Sequence, residues 1–416
     1  MDFNLTTLPN GLRIISEHMP EVRSAALGCW IDTGSRDETP AEGGSSHYLE
    51  HLLFKGSEAW PSRRISEAFD GVGAQSNAFT SKEHTCYWAR LRDADLPLGI
   101  EVLAEMMQRP AFRPQDVESE RQVVLEEINM NEDDPADVAH ELFTQKLWSA
   151  HELGPPILGT KEGITELARD TIAGYWRRRY GPRATVMAVA GHLDHEEVVQ
   201  VLGEYFAGWT GGPNGRPVGP VVPAAEVAIS SRDTEQAHIV IGCVGLAADD
   251  KRRWALGVLN HVLGGGTSSR LFHEIREQRG LVYSVYSFRL AYSDTGALGV
   301  YAGTTPSQSV EVLHLITEQF AHLAQEGITD EELQRAKGHV NGSLALSLED
   351  PGSRMSRLGR IELAGREHLA VDQIVAEVEA VTAADVQAVA EEVFSRPRVI
   401  GAAGPFDSAE LEQFLR

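Results

Sequence analysis

The chain has 416 residues, with 37 Lys and Arg against 61 Asp and Glu, and it contains three Cys. This length exceeds what one hydrophobic core usually fills, so two or more domains are expected. The formal net charge of −24 argues against a nucleic-acid partner and against an anionic membrane surface. Cys29, Cys86 and Cys243 form neither a disulfide framework nor a CxxC zinc pair, which favours a reducing compartment.

The sequence carries no targeting or spanning segment that can be recognised. The N-terminus has no basic stretch followed by an apolar one, so no secretory signal is predicted. No uninterrupted apolar run reaches the roughly 20 residues that a transmembrane helix requires. We expect a soluble cytoplasmic protein with no membrane partner.

Strand and helix patterns alternate along the first half of the chain. Runs rich in β-formers predict strands at 11–17 and 24–32, and two more within 73–92. Helical periodicity appears at 44–55, 62–70, 95–109, 115–133, 136–149 and 165–179, and a strand at 184–191 precedes a helix that opens at Asp194.

A Gly- and Pro-rich stretch without periodicity, residues 211–224, predicts a linker. It separates a predicted domain 1–210 from a predicted domain 225–416. The patterns after the linker predict a strand at 237–246, a helix at 250–264, two strands within 281–304 and a mostly helical region at 306–395.

The two halves show a weak internal repeat, with chance similarity between helical stretches as the alternative. The matched pairs at a shift of 216 residues are Asp134-Pro135 with Asp350-Pro351 and Arg121 with Lys337, and a shift of 214 matches Gly28-Cys29 with Gly242-Cys243. We therefore predict an α+β fold of two homologous α/β-sandwich domains related by internal duplication. Each would have a mainly antiparallel sheet with helices packed on it.

The most specific motif is His47-Tyr48-Leu49-Glu50-His51. On a helix His47 and His51 lie one turn apart on the same face, so both imidazoles can reach one zinc ion. Glu50 projects near that face and can take a proton from the attacking water. This HxxEH order reverses the HExxH order of other zinc peptidases. The alternative is a surface helix with incidental histidines.

A third ligand is expected from the acidic helix at 115–133. The alternative is that its carboxylates only form a solvent-exposed helix face. Glu120 and Glu127 are seven residues apart and share a side of this helix. That spacing lets Glu127 bind the metal while Glu120 holds a ligand or the water from behind. Spacing alone does not choose between Glu126 and Glu127.

Four ordered segments, spread over essentially the whole chain, resemble the pitrilysin/insulinase metallopeptidases and in particular their processing-peptidase branch. The segments are GSSHYLEHLLFKGS, NAFTSKEHTCYW, ERQVVLEEI and LGGGTSSRLFHEIREQRGLVYSVYS. The resemblance implies one zinc ion per chain, held by His47, His51 and Glu127, with Glu50 as the catalytic base. Tyr48 departs from the usual Phe of the family, at a position that is not a ligand.

The resemblance also assigns roles in the second half, which has no HxxEH and places Ser343 opposite Glu127. Arg276 and Tyr283 would bind the substrate backbone near the zinc. The alternative is that Arg276 is a cation on the surface of a helix and that Tyr283 is an aromatic side chain of a strand in the core. The glycine-rich loop 264–266 would contact the entering substrate, or it is a flexible turn between helices.

Further substrate contacts follow from the same resemblance. Asn77 and Ala78 would lie on an edge strand that pairs with an extended substrate. Phe54 would line the pocket for the residue after the scissile bond, or pack in the core. Asp137 and Glu141 would bind a substrate Arg, or form an ordinary polar helix face.

The function predicted on this basis is that of a zinc endopeptidase that cleaves peptides or presequence-like extended segments. Longer family members fuse four such domains, so a two-domain chain implies a dimer. A homodimer is the simplest form, with a heterodimer as the other. The acidic charge would suit basic peptide substrates. The alternative function is a non-catalytic core or scaffold subunit of the same fold.

Overall fold

The computed structural model describes residues 3–213, 216, 219, 221–222 and 225–415. Half of the predicted linker 211–224 (positions 214, 215, 217, 218, 220, 223 and 224) lies outside these residues. The chain divides into two compact units of three segments each. The first unit is Met1–Ile128, Pro155–Pro217 and Leu344–Ala370, and the second is Asn129–Gly154, Val218–Ser343 and Val371–Arg416.

Eleven strands and fifteen α-helices are found in the described residues. The strands are β1 Phe3–Thr7, β2 Arg13–His18, β3 Ser24–Ile31, β4 Gln75–Thr80, β5 Thr85–Arg92, β6 Thr185–Gly191, β7 Glu226–Ser231, β8 Ala237–Val244, β9 Val282–Ala291, β10 Gly296–Thr304 and β11 Arg398–Gly404. The helices are α1 Ser45–Phe54, α2 Ser62–Val72, α3 Leu96–Gln108, α4 Pro114–Asp133, α5 Pro135–Leu147, α6 Lys161–Glu166, α7 Arg169–Arg179, α8 His195–Phe206, α9 Arg253–Gly264, α10 Ser309–Gln325, α11 Asp330–Ser347, α12 Pro351–Leu363, α13 Val371–Ala380, α14 Ala383–Phe394 and α15 Ser408–Glu412.

The first unit is built on a six-stranded sheet in the order β1-β2-β6-β3-β5-β4. Only the β2–β6 pair is parallel. One face packs on the large apolar core that includes residues of α1, α3 and α4, and the other face carries α12. Because β3 is covered on both faces, its sequence is a continuous apolar run rather than an alternating one.

The second unit repeats this plan with a five-stranded sheet in the order β7-β11-β8-β10-β9. Apart from β1, the order corresponds strand for strand to that of the first unit, and again only one pair, β7–β11, is parallel. The predicted fold class of two similar α/β units is therefore confirmed. A strand-for-strand match of order and direction is also what an internal duplication predicts.

The matched Asp-Pro pairs have the same structural role in both halves. Asp134 caps α5, accepting hydrogen bonds from the backbone N–H groups of Ala136 and Asp137. Asp350 caps α12 through the N–H of Ser353. In each case the Pro occupies the first helical position, where a missing N–H costs nothing. The shift of 216 residues thus superimposes the starts of two equivalent helices.

These two helices are exchanged between the halves of the sequence. The helix α12 follows the predicted linker but packs on the first sheet, and α5 precedes it but packs on the second. The compact units therefore differ from the continuous ranges 1–210 and 225–416 expected from sequence. Periodicity shows that α5 and α12 are helices, but it carries no information about which sheet covers their apolar faces.

Glycine at the sheet surface lets each exchanged helix approach closely. A Cβ on Gly242 of β8 would meet the backbone of β10 and then Cζ of Phe143 in α5 at 3.0 Å, and a Cβ on Gly28 of β3 would overlap Met355 of α12. Both glycines were matched by the shift of 214 residues. Their shared role is to leave room for the exchanged helix.

One predicted helix is interrupted, and three strands were not predicted. The helix expected at 165–179 breaks at Leu167 and Ala168, which are extended. The buried Arg121 guanidinium donates to the carbonyls of Ile164 and Leu167, taking the place of helical partners.

The strands β1, β7 and β11 gave no clear pattern, since β11 reads Arg-Val-Ile-Gly-Ala-Ala-Gly with few β-branched residues.

In the part of the chain that the structure describes, no helix combines the length and the apolar character needed to cross a lipid bilayer.

The packing of α12 predicts opposite effects for two Gly→Ala substitutions in helix interiors. A Cβ on Gly359 would lie 2.3 Å from Nε1 of the fully buried Trp30, whereas a Cβ on Gly203 in α8 would meet no atom within 4 Å. Gly359→Ala should lower the free energy of unfolding by about 1–3 kcal/mol through overpacking. Gly203→Ala should raise it by up to about 1 kcal/mol through helix propensity.

Urea denaturation of the full chain followed by circular dichroism measures both changes. Equal midpoints for the two variants would contradict this account of the contact between α12 and the first sheet.

Candidate active site

The helix that carries the HxxEH motif is fixed at its N-terminal end by the carboxylate of Glu38, a few residues upstream. Glu38 accepts hydrogen bonds from the backbone N–H of Gly44 at 2.7 Å and of Ser46 at 2.6 Å. These are among the amide groups that a helix leaves without partners at its start. Gly44 takes a left-handed conformation, φ 85°, that permits this entry. The first turn of α1 is therefore anchored directly before His47.

A second contact fixes α1 against α4. Tyr48 is fully buried, and its hydroxyl donates to the backbone carbonyl of Val117. The residue that departs from the usual Phe of the family thus adds a hydrogen bond between the two helices that carry the candidate ligands. A buried polar group that loses its hydrogen-bond partner typically costs about 1–3 kcal/mol of stability, so this bond restricts relative motion of the two helices.

The three predicted ligands meet at one point in the first unit. The distance from Nε2 of His47 to Oε2 of Glu127 is 3.4 Å, and Nε2 of His51 lies 3.4 Å from the same oxygen. One ligand atom from each of the three residues lies within 4.8 Å of the others. Glu126, the alternative that spacing left open, is exposed and is outside this group.

The two distances of 3.4 Å between an imidazole nitrogen and Oε2 of Glu127 fit a tetrahedral zinc ion. Ligand atoms about 2.0–2.2 Å from such an ion are separated from each other by roughly 3.3–3.6 Å. Two imidazoles and one carboxylate are also the donor set of many catalytic zinc sites, in which the fourth position stays open. The donor set and the two distances to Glu127 therefore fit a zinc ion.

Glu120 stands behind His51. Its buried carboxylate lies 3.1 Å from Nδ1 of His51 through one oxygen and contacts Nζ of Lys55 through the other. Because the carboxylate accepts a hydrogen bond from Nδ1–H, Nε2 of His51 keeps its lone pair on the side of Glu127. Lys55 compensates the buried charge of Glu120. Sequence reasoning identified Glu120 but missed Lys55, which lies one turn after His51.

His47 is held in its neutral form. Burial, and next the neighbouring His51, lower the pKa of His47 to about 4. The two rings lie edge to face with their centroids 4.8 Å apart. Among the described residues, Nδ1 of His47 is buried without a hydrogen-bond partner. A neutral imidazole is the form that binds a metal ion, so His47 is in the state that a ligand requires near neutral pH.

Glu50 points toward the edge of the first sheet. Its Oε2 accepts a hydrogen bond of 2.6 Å from the hydroxyl of Thr80, the last residue of β4. Burial raises the pKa of Glu50, while the bond from Thr80 and the nearby His51 act in the opposite direction. A carboxylate with a raised pKa is suited to take up and release a proton. Thr80 was not recognised from sequence, because nothing there links it to Glu50.

The strand next to this site lies at the edge of its sheet. In the described chain β4 pairs with β5 alone, so its outer backbone groups have no strand partner. The side chain of Asn77 is exposed and accepts from the N–H of Ala78, whose own side chain is buried. The edge is therefore available to an added strand.

Phe54 combines both roles that the sequence left open. It is half-buried and packs on Tyr87, with ring centroids 6.2 Å apart. It also lines a cavity of about 380 Å³ together with Ile65, Phe69 and Ser76. The ring can therefore contribute to a pocket while its other side packs on the core.

The remaining predicted residues belong to the second unit. Tyr283 of β9 is 78% exposed, so the alternative of a core strand aromatic is wrong. The guanidinium of Arg276, in a short π-helical segment 272–278, lies 5.8 Å from the ring of Tyr283. Local π-helix is rare and is frequent at functional sites. The Arg and Tyr thus form one exposed pair.

Asp137 and Glu141 both lie on α5. Asp137 is exposed, but its carboxylate is partly shielded from water, and this shielding, followed by the charge of Asp134, raises the pKa of Asp137. Glu141 accepts a hydrogen bond from Gln145 at 2.9 Å. The glycine-rich loop 264–266 begins at the last residue of α9 and curves over the ring of His261.

Comparison with known proteins gives consistent results. Residues 13–161 match the family described as Insulinase (Peptidase family M16), and residues 166–339 match the Peptidase M16 inactive domain. A Streptomyces coelicolor protein described as an uncharacterized zinc protease is 47% identical over 98% of this chain and 91% of its own length. A Bacillus subtilis protein of the same description is 41% identical over 96% of this chain and 97% of its own.

Solved structures show the same fold. The peptidase M16 inactive domain from Pseudomonas fluorescens has a TM-score of 0.91 at 20% identity and covers 98% of this chain and 99% of that one. A protease from Helicobacter pylori has a TM-score of 0.90 at 21% identity and covers 97% of this chain and 99% of that one. With nearly half of its residues identical to a full-length relative, the chain belongs to the pitrilysin/insulinase family, peptidase family M16.

Proposed function

We propose that the protein is a zinc-dependent endopeptidase that binds one zinc ion per chain. The observation that carries the proposal is the meeting of His47, His51 and Glu127, each within 4.8 Å of the others, on two helices fixed to each other. The relatives described as zinc proteases support the same metal and the same class of reaction.

Each residue of the site has a distinct role in this proposal. Zinc, when bound, polarises a peptide carbonyl and acidifies a water molecule. His47, His51 and Glu127 hold the ion, and Glu120 fixes the tautomer of His51. Glu50 takes the proton of the attacking water and returns it to the leaving amine. The hydroxyl of Thr80 keeps the Glu50 carboxylate turned toward the substrate strand.

The substrate would lie extended along the free edge of β4, since backbone hydrogen bonds bind a strand without regard to its side chains. Asn77 and Ala78 would contribute at this edge, and Phe54 would line the pocket for the residue after the scissile bond. Asp137 and Glu141 would attract a basic side chain. The chain's net charge of −24 would also favour basic peptides at low salt.

The Arg276 and Tyr283 pair supplies donors for the substrate backbone. A guanidinium and a phenol are suitable donors to a carbonyl oxygen that gains negative charge. The matched family description for residues 166–339 is an inactive domain, which fits a second half that binds substrate without a metal. We infer that the pair reaches the zinc site from a second copy of the chain, so that a homodimer is the active form.

Replacing the base tests the mechanism separately from metal binding. Glu50→Gln should lower kcat for a peptide substrate by about 10²–10⁴-fold, because the amide cannot accept the proton. Zinc content should stay at one ion per chain, since Glu50 is not a ligand. Glu67→Gln, at an exposed glutamate of α2 that pairs with Arg63, should leave kcat unchanged. Full activity in Glu50→Gln would refute the assigned role.

Mixing two inactive variants tests the homodimer. Glu50→Gln lacks the base, and Arg276→Ala combined with Tyr283→Phe lacks the donors, so each protein alone should be nearly inactive. If the donors act in the partner's site, mixed dimers contain one complete site and cleavage returns. Size-exclusion chromatography confirms that mixing forms dimers. A mixed dimer without activity would contradict contribution from the partner, and an inactive wild-type monomer would favour a missing heterodimer partner.

A further inference from the structure

A cavity of about 620 Å³ lies behind the candidate site, on the face of the first sheet that carries α12. Its walls come from β4, β5, α12 and the residues that follow α12. The side chains that matter here are Phe79, Trp88, Arg90, Arg357, Arg360 and Arg366. No role described above uses this cavity.

The cavity is basic in a strongly acidic protein. Of the described residues that line it, four are Arg and one, Asp350, is acidic. Asp350 is already paired with Arg90, at 2.9 Å. The exposed guanidinium of Arg360 lies 5.7 Å from the ring of Trp30 and makes no hydrogen bond or ion pair within the described residues. The guanidinium of Arg360 is therefore open to an anionic ligand, in a cavity whose lining carries more positive than negative charge.

The register of the sheet connects this cavity to the edge strand. Gln75 of β4 lies opposite Arg90, and Asn77 lies opposite Trp88. Because side chains alternate along a strand, Gln75, Asn77 and Phe79 face the cavity side, and Ala78 and Thr80 face the opposite side. Thr80 is the residue that contacts Glu50. The two faces of β4 therefore look toward two different sites.

A peptide added to the edge of β4 would follow the same alternation. Every second side chain would point toward Glu50 and the ligands, and the intervening side chains would point toward the basic cavity. We propose that this cavity binds an acidic side chain, Asp or Glu, of the extended peptide substrate. The inference rests on the proposed peptidase function and adds a substrate class to it.

The chemistry of the cavity favours a carboxylate over other side chains. Guanidinium groups bind carboxylates through two parallel hydrogen bonds, and Phe79 and Trp88 supply an apolar wall for the methylene groups of Glu. A Lys or Arg at the same position would be repelled. The preferred substrate would then carry acidic residues on one side of the extended chain, with any basic residue bound elsewhere.

A glutamate scan of a cleavable peptide tests the inference. The parent peptide carries Gln at every position of the tested stretch. A series of variants then replaces one Gln at a time by Glu. Glu should lower KM by about 5-fold at alternate positions only, with kcat unchanged, because an exposed charge pair contributes about 1 kcal/mol. Arg360→Gln should remove this alternation. The control Arg63→Gln, an exposed Arg on α2 of the same unit, should retain it.

The outcomes separate this proposal from the proposed function. Cleavage with equal KM for Glu and Gln at every position would overturn the pocket and leave the peptidase intact. A uniform effect of Glu at all positions would also overturn it, since that indicates bulk charge. If no peptide is cleaved, the peptidase proposal fails. Fluorescence anisotropy of the same labelled peptides then decides: an alternating preference lost in Arg360→Gln supports the pocket, and its absence overturns it.

Discussion

The position of α4 against α1 is the constraint on which the site depends. The motif on α1 supplies only two imidazoles, and a third donor exists only if Glu127 reaches them from another helix. Its Oε2 lies 3.4 Å from both Nε2 atoms because α4 is held by three contacts in its N-terminal half. Tyr48 binds the carbonyl of Val117, His51 binds Glu120, and Arg121 binds the turn between α6 and α7.

These contacts lie within about one turn of α4, from Val117 to Arg121, on the N-terminal side of Glu127. A buried polar group that loses its partner costs about 1–3 kcal/mol, so every contact penalises displacement of the helix. Among the residues that the structure describes, the second half shows no comparable group of metal ligands. Its equivalent helix α11 carries Ser343 where α4 carries Glu127, and Lys337 where α4 carries Arg121. The fold was kept there while the donor set was not.

The sequence predicted most elements because apolar periodicity is a local property. The helices of the motif and of the third ligand begin and end within two residues of their expected bounds. The two Asp-Pro pairs were correctly matched, since capping is also local. The choice between Glu126 and Glu127 was different. Spacing on the helix left it open and the family resemblance implied Glu127, and the fold places Glu127, but not Glu126, beside the two histidines.

What the sequence did not predict depends on contacts between distant residues. Thr80 and Glu50 are 30 residues apart, and Tyr48 and Val117 are 69 apart. The exchange of α5 and α12 between the two sheets is a long-range property as well. No pattern within α12 distinguishes the first sheet from the second, and the glycines that admit it lie far away in sequence.

Zinc binding by carboxylate variants of α4 tests the central claim most directly. Competition with a chromophoric chelator gives the stoichiometry and the affinity, independently of any peptide substrate. The wild type and Glu126→Gln should each bind one zinc ion per chain with equal affinity, and Glu127→Gln should bind it about 100-fold more weakly or not at all. Zinc affinity in Glu127→Gln equal to that of the wild type would contradict the account.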